Sequence, residues 1–238
     1  MMKEKLLQFF FGIVFLAVAV LFVAVFGGPT LLQMYIKNGI GDCKTIPVLC
    51  MAPQADFTLP VITDASGSDF IPYRYDDIEL FLPKGFTVVK EQDIKVYYKR
   101  KHKATGATVY LLYEPPGFFV NLFTNLKKAG IKNDYDFLCR VMQADLEGVK
   151  DLTDAFFVIT KGIFIPDLGD QKTVKMAQFV SRGKKGFINY NFTPEGNFFD
   201  CNFILPEGGY VKIYLKDKMK VLDLDKVFVS IATVKKSK

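Results

Sequence analysis

The sequence predicts an α+β fold carried on one N-terminal transmembrane helix: a mainly antiparallel sheet with helices packed on both faces. Three observations predict it. Residues 6–26 run for 21 positions without a charge. Behind them, apolar-rich segments follow the order strands, helices, strands, helix. Turn-forming residues join the strand segments as hairpins rather than through long crossovers. The organisation that follows is an anchor over residues 1–28, a juxtamembrane helix and linker over 29–69, and an extracytoplasmic domain over 70–238.

At about 1.5 Å per residue the uncharged run is roughly 31 Å long as a helix, enough to cross a bilayer's hydrocarbon core. It is longer than the apolar core of a signal peptide, and Ala24-Val25-Phe26 puts a large aromatic where cleavage wants a small residue. Lys3 and Lys5 favour a cytoplasmic N-terminus, which places the rest on the periplasmic or extracellular side of a single-pass inner-membrane protein. Gly27-Gly28-Pro29 breaks the helix at the membrane exit. Residues 30–37 then read as a short helix whose Leu31, Leu32, Tyr35 and Ile36 suit the interface, stopped by Asn38-Gly39.

Four cysteines follow. Cys43 and Cys50 bracket a short loop, and in an oxidising compartment they read as a disulfide. Cys139 and Cys201 fall in a predicted helix and strand, as buried thiols or as a second bridge. Residues 56–69, with Pro60, Ser66, Gly67 and Ser68, read as a linker that holds the domain off the bilayer.

Ile78, Leu80 and Leu82 alternate along a strand that ends at Pro83-Lys84-Gly85, and residues 86–90 are again extended. Residues 94–99 and 107–113 form a hairpin whose tip lies at 101–106. The second arm is apolar on both faces, so it belongs in a sheet covered on both sides. Phe119, Leu122, Phe123 and Leu126 recur at helical spacing before Gly130. Asn133 caps a further helix, with Asp134 and Asp136 in its first turn and Tyr135, Leu138, Met142, Leu146 and Val149 as its stripe.

Residues 154–165 fit either state: Ala155, Phe156, Ile159 and Ile163 have helical spacing, while the β-branched content suits a strand. Pro166-Asp167-Leu168-Gly169 ends the segment either way. Strands are predicted over 174–181, 187–192, 198–205 and 210–216. Asp223 opens a last helix with Leu224, Val227, Phe228, Ile231 and Val234 on one side.

Two stretches carry a family resemblance. Tyr75-Asp76-Asp77-Ile78-Glu79-Leu80-Phe81-Leu82-Pro83-Lys84-Gly85-Phe86 resembles the opening of the PsbP-like domain, and residues 203–213, with Pro206-Glu207-Gly208-Gly209 at their centre, resemble its penultimate hairpin. The resemblance covers about residues 70–236; Phe86 stands where the family more usually has Trp, and 114–172 is longer than its pattern. It implies a PsbP-like sandwich and a binding or assembly role, with no functional residue carried over. The chain also resembles bacterial proteins with a single N-terminal anchor.

The net charge of +6 comes mainly from lysine, with four arginines. Bidentate base and phosphate readers lean on arginine, so nucleic acid is not an expected partner. His102 is the one histidine, and the cysteine spacings lack a C-x-x-C knuckle, so neither a metal nor a cofactor is expected. Phosphate-loop, dinucleotide-loop and nucleophile-elbow motifs are missing. The acidic pairs Asp134/Asp136, Asp167/Asp170 and Asp223/Asp225 read as helix starts and turns rather than calcium ligands.

Lys99, Arg100, Lys101 and Lys103 form the densest positive run, a contact for anionic lipid or an acidic partner if the domain docks on one. The expectation is a membrane-tethered, non-catalytic module with a protein partner in the membrane or envelope. The alternatives are an envelope enzyme using carboxylates or tyrosines, and a receptor for a small apolar ligand.

Overall fold

The computed structural model describes residues 28–59, 70–75, 78–84, 98–101, 108–218 and 220–236. The predicted anchor, the linker residues 60–69, the extended segment 86–90, residues 94–97 and the tip 102–106 lie outside the described residues.

Strong strand formers and hairpin turns build a seven-stranded sheet. Its strands are β1 (Gln54–Thr58), β4 (Tyr98–Lys101), β5 (Thr108–Glu114), β6 (Lys175–Ser181), β7 (Lys184–Thr193), β8 (Gly196–Ile204) and β9 (Tyr210–Asp217), in the order β1-β6-β7-β8-β9-β5-β4. All pairs are antiparallel except β1–β6. The β6–β7 turn is a two-residue loop with Arg182 and Gly183 both at positive φ, 48° and 79°, the twist that suits a tight hairpin. A smaller sheet pairs β2 (Phe70–Tyr75), β3 (Ile78–Pro83) and β10 (Lys235–Lys236).

The fold is α+β, and both faces of the large sheet are covered. Alternation sends Phe179, Ile188, Phe199, Cys201, Phe203, Ile213 and Leu215 to one side. There they meet Ile78, Leu80 and Leu82 of β3 and Val227, Phe228 and Ile231 of the last helix, α5 (Leu224–Thr233). The other face carries Met176, Phe187, Phe198 and Tyr210. It lies under α2 (Phe118–Leu122), α3 (Asp134–Gln143) and α4 (Leu152–Phe164).

The helix starts read from sequence are present. Asn133 accepts from Asp136 N at 2.9 Å and Asp223 from Lys226 N at 2.9 Å. Three differences have local causes. The run around Phe119 breaks at Phe123 and continues as a 3₁₀ turn, Thr124–Ala129. The helix after Asn133 stops at Gln143 because the Ala144 carbonyl is taken by Lys161 Nζ, and Asp145 closes a turn onto Gly148 N. Leu146 and Val149, predicted on that helix, are buried instead in a third cluster.

The largest difference lies before residue 60. The part of the predicted juxtamembrane helix and linker that precedes residue 60 is built into the domain. Helix α1 (Gly28–Ile40) packs on α4, with Ile36 fully buried beside Ala155 and Val158. It runs past Asn38-Gly39, and Gly41 at φ 104° turns the chain away. Cys43 and Cys50 stand at disulfide distance, Cα to Cα 5.7 Å, flanked by the same cluster. Residues 54–58, three of which fall in the predicted linker, form the parallel edge strand β1. Phe57 packs on the Phe228 ring, with centroids 5.5 Å apart, and an isolated linker has no such burial to offer.

Candidate binding face and cleft

The helix side of the sheet holds a row of polar residues in register across its middle. Tyr110, Tyr214, Asp200 and Asn189 stand opposite one another on β5, β9, β8 and β7; Lys212 and Asn202 form part of the next row. Asp200 is closed to solvent. Its Oδ2 accepts from Asn202 Nδ2 at 2.7 Å and Asn189 Nδ2 at 3.2 Å, and its Oδ1 lies 3.2 Å from Lys212 Nζ. Tyr210 donates to Asn202 Oδ1 at 2.7 Å. A buried carboxylate is tolerable only with such a set of donors around it.

The same row pins the chain that leaves α4. Lys212 Nζ donates to the Phe164 carbonyl and Tyr214 to the Asp167 carbonyl. Asn191 Nδ2 donates to the carbonyls of Leu168 and Asp170. Burial, reinforced by the charges of Asp167 and Asp200, pushes the Tyr214 phenol well above its ordinary value, so it stays a donor at neutral pH. The ionisable groups that converge here are therefore tied to backbone or to one another. Beside them opens a cleft of about 390 Å³ walled by Tyr110, Leu112, Ile163, Pro166, Lys212 and Tyr214.

Ile163 belongs to both the cleft and the outer face of α4. Leu152 and Ile163 are 77% and 76% exposed, with Ile159 exposed between them. On a helix these positions fall on one side. At the other end of α4, Leu152 and Phe156 border a second hollow of about 380 Å³ with Leu122, Phe123 and Leu126. A ridge of large apolar side chains thus joins two hollows, and no charged residue of α4 lies on it. Asp154 faces Arg140, and Lys161 points inward.

A third hollow, of about 460 Å³, has Lys132 and Lys185 on its walls. Its helix start is already filled. Asp134, buried, accepts from Gly117 N, Phe119 N and Val120 N at 2.7, 3.0 and 3.3 Å. Asp134 was legible as a first-turn acid; its role on the neighbouring helix was not.

The structure distributes the predicted site residues as follows. Cys43 and Cys50 are paired, while Cys139 and Cys201 are free thiols. Lys99, Arg100 and Lys101 lie on β4, with backbone register to Tyr110, Val109 and Thr108, so the strand holds Lys99 as expected and extends to Lys101, the start of the predicted tip. Lys103 lies outside the described residues. Among the described residues, no three His, Cys, Asp or Glu side chains gather as a metal-ligand set, and no helix is long and apolar enough to cross a membrane.

No family model matches this chain, and no curated protein does. The ridge on α4 is the residue set that sequence reasoning missed. The signal is the helical spacing of Ile159 and Ile163, but a segment that fits helix or strand does not say which side faces out.

Proposed function

We propose that this chain is a single-pass, membrane-tethered extracytoplasmic interaction module, without catalysis of its own, that supports a membrane or envelope complex. One observation carries the reading: the uncharged ridge Leu152–Ile159–Ile163 with a hollow at each end. Contiguous exposed apolar surface of this kind marks a contact face. The 21 uncharged residues at 6–26 support the tether, and the Cys43–Cys50 pair supports an oxidising compartment. The PsbP-like relationship is part of the same reading, supported by the β3 strand ending at Pro83 and by the β8–β9 hairpin through Pro206–Gly209. Lys99, Arg100, Lys101 and Lys103 are its contact for anionic lipid or an acidic partner. Replacing all four with Gln is expected to weaken binding to anionic vesicles at low salt.

The test is affinity purification of the full chain from gently solubilised membranes, beside a variant with Leu152→Asp and Ile163→Asp. Stoichiometric companions that disappear with the variant are the expected result. Repeated recovery of the wild-type chain alone, at its native level, counts against the assembly role.

A receptor for a small apolar ligand is the second reading. The cleft between Tyr110, Tyr214 and Ile163 favours it, since about 390 Å³ lies within the size range of small-molecule sites. A rise in melting temperature with an aromatic or acyl ligand, lost in Tyr214→Ala, is its test.

A further inference from the structure

We infer that the outer face shared by α1 and α4 rests on the bilayer, so that the domain lies flat against the membrane instead of hanging from a spacer. This rests on the reading that residues 6–26 span the membrane, and it deepens the proposed contact face by placing it in the bilayer interface, where a membrane-embedded partner meets it.

The position of the face relative to the anchor is the first argument. The uncharged run ends at Phe26 and α1 starts at Gly28, so no spacer separates membrane exit from folded domain. Leu31 is about 6 Å of helix beyond Gly27, within the depth of the headgroup region. On α1, Ile36 faces the domain while Leu31, Met34 and Tyr35 are exposed, Tyr35 at 73%. The adjacent helix is α4, with Leu152, Ile159 and Ile163 exposed. Two neighbouring helices thus present large apolar side chains to solvent directly after a predicted span, and the nearest apolar phase is the bilayer. Aromatic and aliphatic side chains at that depth are the ordinary composition of an interfacial surface.

Charge is the second argument. The ridge itself carries none, but its borders do. At the Ile163 end, Lys212 lines the cleft beside Tyr110 and Tyr214. At the Leu152 end, Lys127 and Lys150 are exposed. Glu147 and Asp151 are exposed at the same end, so the charges there balance, and only the ridge between the ends is free of charge. An uncharged apolar face with charged borders suits hydrocarbon flanked by polar headgroups.

The chain contains no Trp, so a single introduced Trp is the sole indole emitter. Four full-length variants are reconstituted in vesicles of phosphatidylcholine and phosphatidylglycerol, without bromine, with bromine at the headgroup end of the acyl chains, or with bromine at mid-chain. Tyr35→Trp and Ile163→Trp report on the face, Phe15→Trp on the predicted span, and Phe192→Trp on an exposed strand position away from it. Tyr35→Trp and Ile163→Trp are expected to shift to the blue and to lose roughly half of their emission to bromine, as suits insertion about 5–10 Å deep. Phe192→Trp is expected to stay unquenched.

Quenching of Phe15→Trp by mid-chain bromine without quenching of Ile163→Trp overturns the inference and leaves the anchor standing. An unquenched Phe15→Trp overturns the anchor reading and the inference with it. A blue shift of Ile163→Trp without quenching, growing with protein per vesicle, assigns the face to a second copy and also overturns it.

Discussion

Lys161 Nζ, closed to solvent beneath α4, donates to the Met51 carbonyl at 2.8 Å and to the Ala144 carbonyl at 2.8 Å. One ammonium thus joins the end of the cysteine loop, the break after α3 and the core side of α4. Burial depresses its pKa from 10.5 to about 8, with Asp145 opposing. The unfolded chain therefore binds more protons than the folded one between those values. Lys161 contributes stability that is fully present above pH 10.5 and lost as pH falls to about 8. The full span is worth at most about 3 kcal/mol.

The comparison that isolates this effect is wild type against Lys161→Met in urea titrations across that window. The stability difference is expected to move in favour of wild type as pH rises. Lys184, also depressed by burial, and the raised Tyr135, Tyr190 and Tyr214 titrate in both proteins and drop out of the difference. A difference that is flat with pH removes Lys161 as the source.

Alkylation under denaturing but non-reducing conditions should label two cysteines, Cys139 and Cys201, and leave Cys43 and Cys50 unmodified. Replacing both members of the pair with Ser is expected to lower stability by about 2 kcal/mol, the loop-entropy value for so short a closure. Labelling of Cys43 or Cys50 in native, unreduced protein would contradict the pairing.

Gly186 sits where β7 and β8 approach closely. A Cβ there would lie 2.2 Å from the Asn202 carbonyl oxygen and 2.4 Å from Phe203 Cβ. Gly186→Ala is expected to cost upward of about 3 kcal/mol, because two central strands must move apart. Gly130→Ala provides the contrast. Its φ of 79° is strained for Ala, but nothing lies within 4 Å, so a loss of about 1 kcal/mol is expected. Equal losses in chemical denaturation would refute the steric account.

Asp200 and Lys212 should couple. Lys212→Met strands a carboxylate closed to solvent and is expected to cost about 3–5 kcal/mol. Asp200→Asn combined with Lys212→Met removes both charges, and its loss should fall well short of the two single losses added together. Simple additivity in a double-mutant cycle would show that the pair does not interact.

Much of the domain was legible because local signals and burial agree there. The strands β6 to β9 alternate or are apolar on both faces, their turns are marked by Gly and Pro, and Asn133 and Asp223 are caps that act within one turn. The pairing of Cys43 with Cys50 follows from seven residues of separation. The parallel strand β1 was not legible, since Gln54–Thr58 has little apolar pattern of its own and gains its structure from the edge of β6. The polar row behind the cleft was equally hidden. Asn189, Asp200, Asn202 and Lys212 come from three strands, and only register brings them into contact.

What the sequence by itself determined is the class of most segments: an uncharged stretch of spanning length, the strands β6 to β9, capped helices and a close cysteine pair. What the tertiary structure decided is the side of α4 that faces out. Ala155, Phe156, Ile159 and Ile163 make as good an apolar stripe as Phe157, Val158 and Phe164, so helical periodicity could not choose between them. The structure buries Phe157, Val158 and the long arm of Lys161, and leaves Leu152, Ile159 and Ile163 outside. The physical reason is that Lys161 finds two backbone carbonyls at the inner surface, and once its ammonium is held there, the opposite apolar face must point away from the core.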